Sequence, residues 1–283
     1  LVLLLEPVLA CFELGEDLER VGFARFVHAL RQRFAARRSC EVSIREGPAM
    51  LAACSGRAGQ GPSNSLLIVG YDREPDTLNR FASPLLEDIE TCVVEGLVTT
   101  DEKMRIVPLL ATEVPTLANG GVKLTTAGMD VTWKLRPGVQ WHDGVAHTSA
   151  DVKFTVDAIN KGDWKPESTD GFDRISGVDT PDSLTAVVHY KELYAPYALQ
   201  FVRGTLPKHV LEGRDIDKAN DYNRSPLGTG PYRVAEWKTG EYIALEAVPN
   251  YWRGAEYPKI RKILFRFLTN TTTRINQLAA RLE

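Results

Sequence analysis

Residues 131–156, VTWKLRPGVQWHDGVAHTSADVKFTV, leave the chain little choice of local structure. Val131, Trp133 and Leu135 alternate with Thr132, Lys134 and Arg136, the period-two pattern of a strand with one buried face. Pro137-Gly138 predicts a turn, because proline presets φ at the first central position and glycine accepts the positive φ that follows. Val139 and Trp141 resume the extended pattern before His142-Asp143-Gly144 turns the chain again. Thr148 is placed to cap a helix whose third residue, Asp151, reaches back as in a capping box. Val152, Val156 and Ile159 share one stripe of that helix, and Gly162 suits its end.

Similar signals recur along the chain. Leu66–Tyr71 reads as a buried strand, followed by a loop at Glu74–Asn79. Leu85–Gly96 reads as a helix with Leu86, Ile89, Val93 and Leu97 on one face. Ile175–Val178 and Leu184–Tyr190 flank a Pro/Asp/Ser turn, a hairpin signal. Tyr194, Tyr197, Ala198 and Phe201 suggest a short helix. Gly228 and Gly230 let the backbone turn before a strand whose buried side is Tyr232, Val234 and Trp237. A turn at 238–241 returns it along Tyr242–Val248; Ile263–Phe267 is one more strand, and Thr269–Leu282 a capped helix.

Several chemistries find no support. With 283 residues the chain buries roughly 75% of its surface and has room for about two domains. Its net charge of −3, with no basic cluster interleaved with aromatics, argues against a nucleic-acid partner. No run of eighteen apolar residues exists to span a bilayer as a helix. The four cysteines (Cys11, Cys40, Cys54, Cys92) lack C-x-x-C spacing, which excludes an obvious zinc knuckle or redox pair and leaves disulfides open. His142, Asp143 and His147 flank a glycine turn with one carboxylate nearby, so a hydrogen-bonded turn is favoured over a metal site; His209 reads as structural. Gly228-x-Gly230 lacks the third glycine and the Lys-Ser/Thr of a phosphate loop. Ile175-Ser176-Gly177 lacks the first glycine of a serine-nucleophile elbow. No cofactor is expected. Trp133, Trp141, Tyr232 and Trp252 read as core, whereas Trp164 and Tyr194 are freer to face a ligand.

The run W-K-L-R-P-G-V-Q-W-H-D-G followed by T-S-A-D-V-K-F-T resembles the signature of the extracytoplasmic solute-binding proteins that feed peptide and nickel ABC importers. So do the E-G-L step at 95–97, the P-K-H-x-L step at 207–211, PLGTGPYRVAEW at 226–237 and N-Y-W at 250–252. The resemblance spans about Leu66 to Glu283. It implies a mixed α/β fold, the first lobe of a two-lobed periplasmic binding protein, whose second lobe is expected outside this chain. The larger-lobe segments would be 66–96 and 206–283, interrupted by a smaller α+β subdomain at 97–205. The implied function is capture of peptides outside the cytoplasm and delivery, unchanged, to ABC permease subunits in the membrane, by a monomer that is not an enzyme. Nickel-chelate, glycan or opine-like solutes on the same scaffold are the alternative within the class, and a hydrolase the alternative outside it. Ligand contact is expected from the loop Phe81-Ala82-Ser83-Pro84-Leu85, with Trp164 and Tyr194.

Upstream, Leu51-Ala52-Ala53-Cys54 has the form of a bacterial lipobox, and Ser55–Ser65 reads as a Gly/Ser tether. Cys54 is therefore the expected lipidation site on the outer face of the membrane. Arg37–Met50 is too polar for the apolar stretch of about 7–15 residues that a signal peptide needs, so the motif is either chance or separated from its signal. Residues 1–50 are an upstream extension in which 14–38 could form a basic amphipathic helix.

Overall fold

The computed structural model describes residues 66–83, 88–162, 164–169, 171–270 and 272. Cys54 and the tether, the basic segment 14–38, Pro84, Leu85 and the body of the helix expected over 269–282 lie outside the described residues.

The strand read from Val131, Trp133 and Leu135 is the centre of a four-stranded antiparallel sheet. Its strands are β4 (Val122–Thr125), β5 (Gly128–Lys134), β6 (Ile175–Asp182) and β7 (Thr185–Tyr190), in the order β4-β5-β7-β6. Trp133 opposes Ala186, and Val131 opposes Val188. The helix Ser149–Lys161 packs on β6 and β7, with Val152, Val156 and Ile159 in the core as its stripe requires. Its capping box is present, and Gly162 ends it at φ 76°. The same apolar cluster continues through Phe81, Phe172, Phe201, Leu206, Leu211, Ile216 and Tyr222.

A second sheet is built from the two ends of the described chain. β1 (Leu66–Tyr71) pairs in parallel with β10 (Lys262–Phe267), which continues antiparallel to β9 (Tyr242–Ala247) and β8 (Tyr232–Lys238). Leu66–Tyr71, expected to be buried, is only half covered, because β1 lies at the edge of this sheet among the described residues. A register shift between Val234 and Glu236 changes the phase of β8, so Trp237 rather than Glu236 turns inward. A short pair, β2 (Val98–Thr100) and β3 (Ile106–Pro108), stands apart.

Three local expectations need correction. Val139 and Trp141 form no strand: the two glycine turns (φ 79° at Gly138, 90° at Gly144) close a small loop with one bridge, Gln140 to Ala146. The helix expected to reach Gly96 ends at Val93. Beyond it, Leu97 donates to Phe201 at 2.9 Å, while the Gly96 and Leu97 carbonyls accept from Leu110, Leu109 and Ala111. Backbone engaged on both sides cannot also make helical bonds. Finally, β6 runs on through Pro181, which an edge strand tolerates because no neighbour needs its missing N–H.

Candidate functional site

The loop after β1 is organised by Asn79. Its side chain accepts from the Phe81 N–H at 3.1 Å, and its carbonyl accepts from Ala82 and Ser83. Asn79 Nδ2 donates to Asn223 Oδ1 at 3.0 Å, and the Leu78 N–H and Thr77 hydroxyl both reach the Asn223 carbonyl. The Phe81 carbonyl accepts from Glu167, and Arg203 Nη1 donates to the carbonyls of Arg80 (2.6 Å) and Ser83 (3.3 Å). The N–H groups of 81–83 are thus all engaged within the chain. Among its described residues, the loop presents the Phe81 ring to the neighbouring cavity and no free backbone N–H over 81–83.

That ring forms one wall of a cavity of about 300 Å³, with Phe172, Tyr194, Leu199, Gln200 and Arg203 among the other lining residues. The short 3₁₀ helix Ala195–Arg203, which carries Leu199, Gln200 and Arg203, is mostly apolar and buries Ala198, Gln200 and Phe201. Phe81 meets Phe172 edge-on at 6.4 Å, and Phe172 meets Phe201 at 6.3 Å. Tyr194 stacks on Tyr190 at 5.8 Å, with the Arg174 guanidinium 5.4 Å from its ring centre. Behind the wall, burial pushes the Arg80 guanidinium down to about 10, opposed by Glu90, so it stays charged at neutral pH.

Of the expected contacts, Phe81 and Tyr194 come together in this cavity, whereas Ala82 and Ser83 stand behind it as loop scaffold. Trp164 does not line it: the residue is 5% exposed and its indole N–H donates to the Ala158 carbonyl at 2.9 Å, closing the end of helix Ser149–Lys161. Gln200, Arg203 and Phe172 escaped the sequence reading. A glutamine at a buried position of an otherwise apolar helical stripe was the available signal for the first.

His142, His147 and His209 tie turns to distant segments. His142 Nε2 lies 3.0 Å from the Gly230 carbonyl, and Nδ1 receives the Gly228 N–H at 3.4 Å, the pattern of a neutral ring. Burial accordingly pushes His142 down to about 4, and it does the same to His147, which bonds Thr205. His209 pairs with Asp143 at 2.8 Å. Among the described residues, no group of three or more His, Cys, Asp or Glu is arranged to hold a metal. Cys92 is disulfide-bonded.

Sequence and fold comparisons agree on the relationship. The profile of the bacterial extracellular solute-binding proteins, family 5, matches residues 105–281. The chain is 29% identical over 264 residues to Protein XP55 of Streptomyces lividans, covering 88% of this chain and 46% of that protein. It is 30% identical over 247 residues to the oligopeptide-binding protein AppA of Bacillus subtilis, covering 81% of this chain and 44% of AppA. The structure of that AppA with a nonapeptide superposes with a TM-score of 0.68 at 28% identity, covering 76% of this chain and 42% of AppA. NikZ from Campylobacter jejuni in complex with Ni(L-His) gives a TM-score of 0.68 at 25% identity, covering 77% and 42%. The chain spans about half the length of the curated relatives it matches. It belongs to family 5 of the bacterial extracellular solute-binding proteins, an extracytoplasmic class that binds solutes and is not enzymatic.

Proposed function

We propose that this chain is one lobe of the substrate-binding component of an ABC importer, which captures peptides outside the cytoplasm and hands them unchanged to the membrane permease. The observation that carries this reading is the cavity beside Phe81: concave, aromatic-walled, with a few polar groups, and bordered at Phe81 by the loop that follows the first strand. The relationship to an oligopeptide-binding protein that holds a nonapeptide supports peptide as the solute. Relatedness to a protein that holds Ni(L-His) supports a nickel chelate as the second reading. Because the N–H groups of 81–83 are already bonded, a peptide here engages side-chain walls, and any strand-like pairing of its main chain falls elsewhere.

In this reading the larger lobe comprises 66–96 and 206–283 and the smaller subdomain 97–205, a division supported by the two separate four-stranded sheets. The protein works as a monomer, held at the outer face of the membrane by acylation of Cys54. Calorimetry with tetra-alanine and with an equimolar nickel–histidine mixture tests the solute: heat from the peptide alone supports the proposal, and heat from the chelate alone replaces it with the second reading. Metabolic labelling with an alkyne fatty acid tests the anchor, which is refuted if Cys54→Ala incorporates as much label as the unaltered protein.

A further inference from the structure

Among the described residues, the cavity beside Phe81 carries an idle donor and a guanidinium with no carboxylate partner. Gln200 is 7% exposed; its Oε1 accepts from the Tyr190 hydroxyl, and its Nε2 is buried without a hydrogen-bond partner. Buried amide donors are almost always satisfied, and one left open on a cavity wall marks where an acceptor belongs. Arg203 is the one formally charged lining residue among those described. Its hydrogen bonds go to neutral carbonyls, those of Arg80 and Ser83, and no described carboxylate pairs with it. Behind it Arg80 opposes it electrostatically, while Glu90 answers Arg80. Among the described residues, this corner holds two guanidiniums, Arg80 and Arg203, and one buried carboxylate, Glu90.

We propose that the cavity seats a carboxylate of the bound solute, with Gln200 Nε2 and Arg203 as donors and Phe81, Phe172 and Tyr194 packed on the carbon that bears it. The proposal rests on the solute-binding reading of the same cavity and names the chemistry it selects. At about 300 Å³ the space suits one carboxylate-bearing end or side chain rather than a whole oligopeptide. Gly171 makes room for the arrangement: a Cβ there would fall 2.6 Å from Gln200 Nε2 and 2.5 Å from the Tyr194 hydroxyl.

The test follows the Gln200 side-chain amide by ¹H–¹⁵N NMR in the full chain, its cross-peak assigned by its loss in Gln200→Glu. Tetra-alanine against its C-terminal amide probes a terminal carboxylate. Ala-Ala-Asp-Ala amide against Ala-Ala-Asn-Ala amide probes a side-chain carboxylate. The expected result is a Gln200 shift with the acid of one pair and binding about tenfold weaker for its matched amide. Gln200→Glu keeps the acceptor for Tyr190 and turns the donor into a repelling oxygen, so it abolishes that acid preference; Arg203→Gln reduces it. The acid–amide comparison on the unaltered chain decides the matter even if a variant fails to fold. Equal binding of acid and amide, or shifts elsewhere with Gln200 unmoved, overturns the carboxylate seat while the solute-binding reading stands. No shift anywhere, with every probe well above millimolar, overturns both.

Discussion

Asp151 accepts from the Thr148 N–H at 2.8 Å, the Lys208 N–H at 3.0 Å and the Trp141 indole at 3.5 Å, so one buried carboxylate joins a helix start, the segment after Pro207 and the W-H-D-G loop. Asp151→Ala strands three donors and is expected to cost about 3 kcal/mol or more, with Asp151→Asn costing roughly half; urea unfolding measures both. The bond to Thr148 was readable in the sequence as a three-residue spacing. The bond to Lys208 was not, because 57 residues separate the partners and no local pattern encodes such a distance. Glu95 is a second case. Its carboxyl is held by the Tyr251 hydroxyl and the Trp252 indole, and burial raises it from 4.5 to about 7. Between those values the folded chain holds a proton that the unfolded chain has released, so Glu95's contribution falls as pH rises toward and past 7. The wild type is therefore expected to lose stability relative to Glu95→Gln between pH 5 and 8, in paired denaturant titrations. His142 and His147 act oppositely: lowered from 6.5 to about 4, their contribution is complete above 6.5 and lost as pH falls toward 4. A His142→Asn variant is expected to flatten the acid limb of the same titration.

Elements whose partners are local came out of the sequence with nearly correct ends. The helix Ser149–Lys161 carries its own cap and stripe, and β7 its own alternation, whereas β6 runs four residues past its expected end at Val178. Segments stopped by distant backbone did not. Helix Asp88–Val93 ends where Gly228 and Gly230 press on it, with Gly230 donating to the Val93 carbonyl at 2.9 Å. A Cβ on Gly228 would fall 1.9 Å from that same carbonyl. Gly228→Ala is accordingly expected to destabilise by about 3 kcal/mol or more, since the obstructing atom is backbone and cannot swing aside. Gly177→Ala, with nothing within 4 Å of its new methyl, serves as the control and is expected to stay within about 0.5 kcal/mol. The two variants differ in chain thermal unfolding only if close backbone approach, rather than glycine as such, is what position 228 requires.

At the scale of the molecule, the two sheets draw on different spans of sequence. The sheet holding Trp133 is assembled from one continuous stretch, 122–190, whereas the other unites Leu66–Tyr71 with 232–267. If the site is completed by a second lobe, a single wall supplies about half the binding energy. A site worth about −8 kcal/mol then retains about −4, near millimolar. Calorimetry on this chain is expected to give millimolar affinity for peptide, and a low-micromolar value defeats the two-wall reading. The family signature, the helix and strand periodicities and the turn glycines were determined by the sequence alone, because each depends on residues within a few positions of one another. Which side chains line the cavity was decided only by tertiary structure. Phe81 and Gln200 stand 119 positions apart, and Trp164, a candidate because it lies outside the signature runs, is held in the core with its indole bonded to Ala158. A cavity wall is a product of packing between distant segments, and packing has no period to read.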